Sequence, residues 1–532
     1  MTVPERPSVS SASSPLPLST SPALDDTLSD APPSALPRLP WWVRVLDALT
    51  LIGVALLISN VVFGGFAARF GDVKLSATSP WRSLIAIAIP GGLRWTLYRS
   101  TPVWTRVAGA WRRAWATDER RAILGPYLST RLMVLLVGYI AVVSIGYPEG
   151  APPFRVARHE GINLPARWDA GWYLGIAIDG YYYSPRAQGQ QNVVFFPAYP
   201  MLTRATAGFL GAQGPDDPRE TRALSEIAFR RQRRTLLAGM VVSLLAFAAA
   251  LVYLYRLARE MLGDDREAAA GAVLLICAYP FSVFFSAFYT ESLFLLGALG
   301  TFYHFRRQEW GRAIAFGLLV GLTRPNGCML SIPLAWLAWQ QARVRGAAPW
   351  PPVPWPPVTW KVQMKPLAIG ILAAAMPGIG MLLYTAGLHL MTGHGFAWVD
   401  VQRAWGRTDN HQVVSFMMDR LSLIARDGLY SYSKSDYIEL FNALATFGAV
   451  GLLWPVARRL GVAYALLVIV ILGPPFVTGG FLALGRMSST LFPLFIYLGW
   501  TIRGERLTSV LLAAAGLQAL FSVLFHTWRP MF

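Results

Sequence analysis

The sequence predicts an all-α polytopic membrane protein, a bundle of about 11–13 transmembrane helices. Of its 532 residues, 54% are hydrophobic and only 14% are charged, which is more apolar sequence than a soluble domain of this size needs. Runs of about 20 apolar residues recur along the chain, and this is the length that crosses a bilayer as a helix. The runs are continuous and lack the alternating pattern that is typical of an outer-membrane barrel.

The first region, residues 1–40, is rich in Ser, Pro and Ala and is expected to be a disordered cytoplasmic tail. It lacks the basic start, apolar core and cleavage site of a signal peptide, so the first apolar run is expected to remain as an anchor. The other four predicted regions are a two-helix hairpin with a basic loop (41–125), a core with a large loop at 148–234 (126–345), a proline-rich cytoplasmic linker (346–365), and further membrane helices with a loop at 391–436 (366–532).

Apolar runs place the individual membrane spans, with boundaries that sequence alone fixes only to within a few residues. The pair 313–323 and 326–341 is short for two spans, and Pro325 interrupts it. This stretch is therefore either a tight hairpin or one kinked, partly re-entrant helix. The predicted spans are roughly 43–65, 81–97, 127–147, 235–257, 268–286, 291–305, 313–323, 326–341, 366–390, 437–457, 461–480, 490–502 and 507–525.

Arginine positions predict the orientation, because cytoplasmic loops collect basic residues. The loop 98–126 carries six arginines, which places it and the N-terminus inside and the loops 148–234 and 391–436 outside. Four later basic loops agree with this scheme. An arginine cluster at 230–234 disagrees, because this scheme places it outside. If 193–211 were a span, the cluster would lie inside, but the later basic loops would then lie outside. We therefore predict that 193–211 is an interfacial helix.

Composition also limits the classes of function. The net charge of +18 is explained by cytoplasmic loops, and no basic folded domain suggests nucleic-acid binding. Cys277 and Cys328 lie in apolar segments, so neither a disulfide nor a zinc site is expected. The histidines of the outer loops lack metal-type spacing, and no metal is predicted. The chain has no P-loop, dinucleotide fingerprint or GxSxG motif.

The stretch RWDAGWYLGIAIDGYYY at 167–183 places a carboxylate, Asp169, among Trp168, Trp172 and Tyr173. Aromatic side chains of this kind settle at the membrane surface, where a substrate that is part lipid and part polar would be met. Asp169 is a candidate general base that takes a proton from an acceptor hydroxyl. It is equally a candidate helix cap, for a short helix that begins at Ala170. Spacing alone does not choose between the two.

Three other polar residues lie where apolar runs are interrupted. Glu291, in FFSAFYTESLFLL at 284–296, is expected at the mouth of a cavity or in an ion pair, because a carboxylate inside a span is costly; the alternative is an acid at a helix start. Arg324, in GLTRPNG at 321–327, and Arg486 suit a phosphate, which a guanidinium grips with two parallel bonds. The alternative for both arginines is snorkelling to the interface.

Four motifs in order resemble the PIG-V family, GPI mannosyltransferase II and its bacterial relatives. They are RWDAGWYLGIAIDGY at 167–181 with FFPAYPML at 195–202, FFSAFYTESLFLL at 284–296, GLTRPNG at 321–327 and, more loosely, GRMSSTLFPLFI at 485–496. The resemblance covers about residues 125–530. Thr290 and Pro325 stand where the family often has Ser; Thr290 keeps the hydroxyl, whereas Pro325 does not.

The resemblance implies a GT-C glycosyltransferase, a multi-span helical enzyme whose catalytic core here is 126–345, with an acid in its first large extracytoplasmic loop. It implies Asp169 as the catalytic base. It also implies that a donor or acceptor site is formed by Arg167, Trp168, Trp172, Tyr173, Glu291, Arg324, Asn326 and Arg486.

The expected substrates follow from the same resemblance. The donor would be a sugar, mannose, on a polyprenyl phosphate, and the acceptor a glycolipid, glycan or protein. Transfer would invert the anomeric centre and need no metal or cofactor. The partners would be these substrates and membrane lipids, without nucleic acid, in a bacterial plasma membrane. A transporter or flippase for polyprenyl-linked sugars, or a non-catalytic subunit, remains an alternative; no internal repeat favours transport.

Overall fold

The computed structural model describes residues 39–63, 66–70, 73–77, 79–99, 117–150, 154–157, 159–186, 189–209, 224–344, 361–407 and 413–531. The chain in these ranges is predominantly helical, which confirms the predicted all-α class. The predicted tail over 1–40, the middle of the basic loop 98–126 and most of the linker 346–365 lie outside the described residues.

The helices of the first half, in chain order, are α1 (Trp41–Phe63), α2 (Pro80–Leu97), α3 (Asp118–Ser144), α4 (Glu160–Asn163), α5 (Ala170–Asp179), α6 (Ala198–Phe209), α7 (Leu224–Met261), α8 (Arg266–Ala278), α9 (Glu291–Arg306), α10 (Trp310–Gly321) and α11 (Ser331–Ala342). Short 3₁₀ turns lie at Asn192–Val194, Pro280–Ser286 and Pro325–Leu330.

The helices of the second half are α12 (Met364–Thr392), α13 (Ala397–Asp400), α14 (Val413–Ser435), α15 (Tyr437–Gly451), α16 (Leu453–Arg459), α17 (Val462–Gly479), α18 (Leu484–Ser488), α19 (Phe492–Thr501) and α20 (Gly504–His526), with a 3₁₀ turn at Val401–Trp405. Two small antiparallel ribbons pair β1 (Phe66–Phe70) with β2 (Val73–Ala77), and β3 (Arg343–Val344) with β4 (Lys361–Val362).

Six helical segments among the described residues are long and apolar enough to cross a membrane: α3, Phe229–Met261 of α7, α12, α15 with α16, α17 and α20. The protein is therefore a multi-pass membrane protein. Several other predicted spans are shorter than expected. The segment 268–286 bends by 79° between α8 and the turn Pro280–Ser286, and α10 and α19 are only 12 and 10 residues long.

The stretch 313–341 forms a helical hairpin, which is the first of the two arrangements that the sequence left open. Of its two helices, α10 runs parallel to α12 and α11 runs antiparallel to it. Gly321 of α10 lies against Pro377, and Ser331 of α11 accepts a hydrogen bond from the amide of Gly378 at 3.2 Å. The tip of the hairpin therefore reaches only to the middle of α12.

The segment between α3 and α7 folds back against the bundle. The hydroxyl of Tyr199, on α6, donates to the carbonyl oxygen of Gly239 on α7 at 3.1 Å. Gly239 also lies against the ring of Phe288, which leaves no room for a Cβ. With 12 residues, α6 is about 18 Å long and too short to span a bilayer. It thus has the length expected of an interfacial helix.

Candidate active site

Asp169 ends the loop that leads into α5, and its side chain contacts a distant segment of the chain. The helix begins at Ala170 as predicted, but the Asp169 side chain makes no capping hydrogen bond. Its Oδ2 instead accepts a hydrogen bond from Nη1 of Arg486 at 2.8 Å. The carboxylate is therefore committed to an ion pair across the site rather than to its own helix.

Glu291 is the first residue of α9 and is completely buried. Its Oε1 lies 3.0 Å from Nε of Arg486 and is also paired with Nη2 of Arg324. Among the described residues, no hydrogen-bond donor reaches its Oε2. A buried carboxylate needs such cationic partners, because desolvation of the charge would otherwise be prohibitive.

Arg486 connects the two acids. It lies in α18, the five-residue helix that follows the end of α17, and only 12% of its side chain is exposed. One guanidinium thus contacts both Asp169 and Glu291. Its central carbon also lies 5.4 Å from the ring centre of Tyr289, within the range of a cation–π interaction. The predicted phosphate ligand is therefore at the centre of the site.

Arg324 approaches from the tip of the α10–α11 hairpin. Its Nε donates to Oγ1 of Thr290 at 2.6 Å, and Oγ1 of Thr290 lies 3.3 Å from the hydroxyl of Tyr173. Burial raises the pKa of Tyr173 to about 12, so this hydroxyl stays neutral at physiological pH. Thr290, one of the two departures from the family pattern, keeps the hydroxyl that the arginine uses.

The backbone next to Asp169 is fixed by Tyr289. The hydroxyl of this residue accepts a hydrogen bond from the amide of Asp169 at 3.0 Å and donates to the carbonyl oxygen of Arg167 at 3.1 Å. Between them, Trp168 adopts φ = 51°, a left-handed conformation that is uncommon for a large side chain. Trp168 also packs on Trp528, with ring centres 5.3 Å apart.

An aromatic wall borders the site on the other side. The ring of Trp172 stacks on Phe195 at 6.1 Å and meets the edge of Trp405 at 5.2 Å. Tyr173 packs edge-on against Phe195 at 4.8 Å. The predicted aromatic residues Trp172 and Tyr173 are therefore both at the site, and Trp405 from the loop after α13 completes the wall.

Arg167 lies apart from this cluster, although it is only two residues from Asp169. Its guanidinium donates to the carbonyl oxygens of His526 at 2.8 Å and Asn163 at 2.6 Å, and to the hydroxyl of Tyr147 at 3.1 Å. Burial and the hydrogen bond to Glu160 raise the pKa of Tyr147 to about 12, so that it remains a neutral acceptor. These contacts favour a structural role for Arg167 over the predicted contact with substrate.

Asn326 is half-buried in the 3₁₀ turn at the hairpin tip, two residues after Arg324. Arg407, which belongs to none of the four motifs, lies near Arg486. Burial and then the charge of Arg486 lower the pKa of Arg407 to about 10. Its Nη1 donates to the carbonyl oxygen of Pro475 at 2.8 Å. Its position within the predicted loop 391–436, next to Trp405, was the signal available in the sequence, and that signal is weak.

The site therefore joins two carboxylates and two guanidinium groups at one end of the short helices. The arginines could hold a phosphate, and the more exposed acid, Asp169, could accept a proton. Within the described ranges, no three His, Cys, Asp or Glu side chains are grouped as for a metal ion. Arg324 and Arg486 place positive charge directly against the two carboxylates, and Arg407 adds a third cation nearby.

Comparison with known proteins is consistent with this chemistry. Residues 144–341 match the family described as Mannosyltransferase (PIG-V). GPI mannosyltransferase 2 of Drosophila pseudoobscura pseudoobscura is 27% identical over 234 residues, which cover 40% of this chain and 47% of that protein. GPI alpha-1,6-mannosyltransferase 2 of Mus musculus is 33% identical over 198 residues, which cover 35% of each chain. The chain thus spans less than half the length of these relatives in the matched regions.

Among solved structures, the chain is similar to the Archaeoglobus fulgidus oligosaccharyltransferase that was crystallised with a tethered acceptor peptide. The likeness has a TM-score of 0.38 and 14% sequence identity, over 75% of this chain and 55% of that chain. At this TM-score the likeness does not identify a fold. The helical membrane architecture follows from the helices themselves, and its assignment to the GT-C group stays a prediction.

Proposed function

We propose, from the match of residues 144–341 to the family described as Mannosyltransferase (PIG-V), that this protein is a membrane glycosyltransferase. It moves mannose from a polyprenyl-phosphate donor to a hydroxyl of a glycolipid, glycan or protein, at the extracytoplasmic face. The observation that carries this proposal is the bridge from Asp169 through Arg486 to Glu291. A proton acceptor and a phosphate-binding cation are the two groups that such a transfer needs.

In the proposed reaction the acceptor oxygen attacks the anomeric carbon of the donor sugar. The bond from that carbon to the phosphate oxygen breaks, and its electron pair leaves with the phosphate. Asp169 takes the proton of the attacking hydroxyl. Because this is a single displacement, the anomeric centre is inverted.

Arg486 links the two halves of this reaction. Before donor binds, its Nη1 neutralises Asp169. The phosphate diester of the donor carries one negative charge, which grows as its bond to the sugar breaks, and Arg486 turns from Asp169 toward the phosphate. This exchange leaves the carboxylate available to the acceptor hydroxyl at the moment when a donor is present.

Arg324 and Glu291 hold this arrangement in place. Glu291 contacts both arginines and is completely buried, so it acts through them as a positioning residue. The two arginines stabilise the charge that develops on the departing phosphate. They take the role that a divalent cation has in other sugar transferases, so the proposed reaction is metal-independent.

The proposal is tested with Asp169→Asn protein in proteoliposomes that contain polyprenyl-phosphate mannose and a membrane lipid extract as the acceptor pool. Donor consumption should fall by about 100- to 10,000-fold, the usual contribution of a general base. Asp179→Asn is the matched control, because Asp179 is an exposed acid at the other end of α5, and it should retain full activity.

Equal consumption by the native and Asp169→Asn proteins would remove Asp169 from the chemistry. If the native protein consumes no donor, donor flipping across the same vesicles is measured instead. If the native protein flips the donor without any sugar transfer, the protein is a transporter and the proposed enzymatic function is wrong.

A further inference from the structure

The first part of α14, from Val413 to the kink at Gly428, exposes two different stripes. Gly428 has φ = 78° and interrupts the helix. One exposed stripe is apolar and consists of Val414, Met418, Leu421 and Ala425. The adjacent exposed stripe is polar and consists of Ser415, Asp419, Ser422 and Arg426. Both follow the spacing of one face of a helix.

The third side of this helix packs on the protein. The ring of Phe416 lies 5.7 Å from that of Phe481 and 6.4 Å from that of Phe476. Nη2 of Arg420 donates to Oε2 of Glu439 at 3.1 Å. The helix therefore has a fixed rotation, and its two exposed stripes face outward in constant directions.

These contacts place the helix at the ends of two membrane spans. Phe476 is in the last turn of α17, which ends at Gly479, and Glu439 is in the first turn of α15. The chain reverses direction between these spans, so both ends lie at the same surface of the bundle. A helix packed across both ends lies at the level where those spans leave the membrane.

The two spans that this helix packs across also carry exposed apolar side chains, as is typical of helices that face lipid. Exposed apolar side chains follow α15 and α17, among them Leu444, Phe447 and Val477. Within the stripe, Val414 is 77% exposed and Met418 60% exposed. Large apolar side chains at that exposure are unfavourable in water and favourable in hydrocarbon.

We propose that residues 413–427 lie in the plane of the membrane surface, with the apolar stripe among acyl chains and the polar stripe among headgroups and water. The partner of this surface is thus the lipid bilayer. A helix with one apolar and one polar side is suited to that position.

This position also bears on the site, and here the inference rests on the proposed function. Phe416 packs against Gly480, where it leaves no room for a Cβ. Gly480 starts the turn that leads into α18 and Arg486. The helix therefore fixes the height of Arg486 relative to the headgroups, which is where the phosphate of a lipid-linked donor lies.

The position is tested by spin labels in a protein whose two cysteines have been replaced by alanine. Labels are attached at Met418→Cys and Asp419→Cys, in nanodiscs, and their collisions with oxygen and with a water-soluble nickel chelate are compared. The label at 418 should collide mainly with oxygen and the label at 419 mainly with nickel. Equal nickel accessibility would place the helix in water, and shielding of both labels from both reagents would indicate a protein partner; either result overturns the proposal.

The link to the site is tested by Leu421→Glu, with Ser422→Glu on the polar stripe as the matched control. Leu421→Glu should raise the KM for a long-chain donor several-fold and leave the KM for a short-chain donor analogue unchanged. A similar effect of both variants would contradict the link. The spin-label result does not depend on sugar transfer, so failure of the proposed function is distinguishable from failure of this inference.

Discussion

At the residue scale, one guanidinium organises the candidate site. Arg486 contacts two carboxylates that belong to different segments, one 15% exposed and one fully buried. Arginine suits this task because its nitrogens lie in one plane and point in fixed directions. Lysine offers a single charged nitrogen and cannot keep both contacts in the same geometry.

Replacing Arg486 should therefore affect stability as well as transfer. Arg486→Gln leaves Asp169 without its ion pair, and removing one partner of a buried pair costs about 3–5 kcal/mol in the free energy of unfolding. Arg486→Lys should preserve more of the stability but lower kcat. Equilibrium unfolding in detergent micelles measures the first effect.

The control for this prediction is Arg426→Gln, because Arg426 is 71% exposed in its pair with Asp427. Exposed pairs contribute about 0–1 kcal/mol. If the Arg486 and Arg426 variants lose equal stability, the buried network is not holding the fold together.

For Arg167 we expect an effect on stability without an effect on donor binding. Because its guanidinium holds the carbonyl oxygens of Asn163 and His526, Arg167→Lys should lower the Tm while leaving the KM for donor unchanged. A raised KM with an unchanged Tm would restore the substrate contact that the sequence indicated.

Single residues were predictable from the sequence to different degrees. The helix start after Asp169 followed from local spacing, but the ion pair with Arg486 did not, because 317 residues separate the partners. Arg167 and Asp169 share one motif, yet their side chains point to different neighbours. A motif identifies which residues matter locally, whereas their contacts depend on segments that are distant in the chain.

At the element scale, the α10–α11 hairpin positions Arg324 through close backbone packing. A Cβ on Gly321 would collide with the carbonyl of Pro377 on α12, and one on Gly327 would collide with the carbonyl of Val320. The interruption at Pro325 was visible in the sequence. The depth of the hairpin tip was not, because it depends on these glycine contacts with another helix.

Gly321→Ala should therefore displace the tip. We expect a loss of about 1–3 kcal/mol in the free energy of unfolding, as for other overpacked sites, together with lower transfer activity. Gly311→Ala on the same helix is the control, since nothing lies within 4 Å of a Cβ at that position. Thermal unfolding of the two purified variants compares them directly, and equal Tm values would contradict the close packing.

At the scale of the whole molecule, the site lies below the ends of the longest helices. Gly239, which contacts Tyr199 and Phe288 near the site, is ten residues into the span that begins at Phe229, or about 15 Å along it. Composition predicted the membrane bundle, but among the described residues only six of the predicted spans correspond to helices that are long and apolar enough to cross. The short, bent helices that enclose the site were harder to predict, because a run of apolar residues does not reveal whether its helix crosses the whole membrane.

The position of the hairpin tip predicts from which side of the membrane a label can reach Asn326. In a protein with both native cysteines replaced by alanine, Asn326→Cys should react with a membrane-impermeant maleimide from the same side as Tyr430→Cys, which is 79% exposed in the native protein. Lys365→Cys, at the N-terminal end of α12, should react only from the opposite side. Labelling of positions 326 and 365 from one side would disprove the arrangement.

The wide spacing of the site residues along the chain also has a consequence for biosynthesis. A ribosome produces Asp169, Glu291 and Arg324 long before it reaches Arg486, and the carbonyl of His526 that anchors the segment before Asp169 comes later still. A nascent chain that stalls before Arg486 has inserted most of its helices but lacks the group that joins its acids. Under the proposed function, prematurely terminated chains would thus be inert toward the membrane-bound sugar donor.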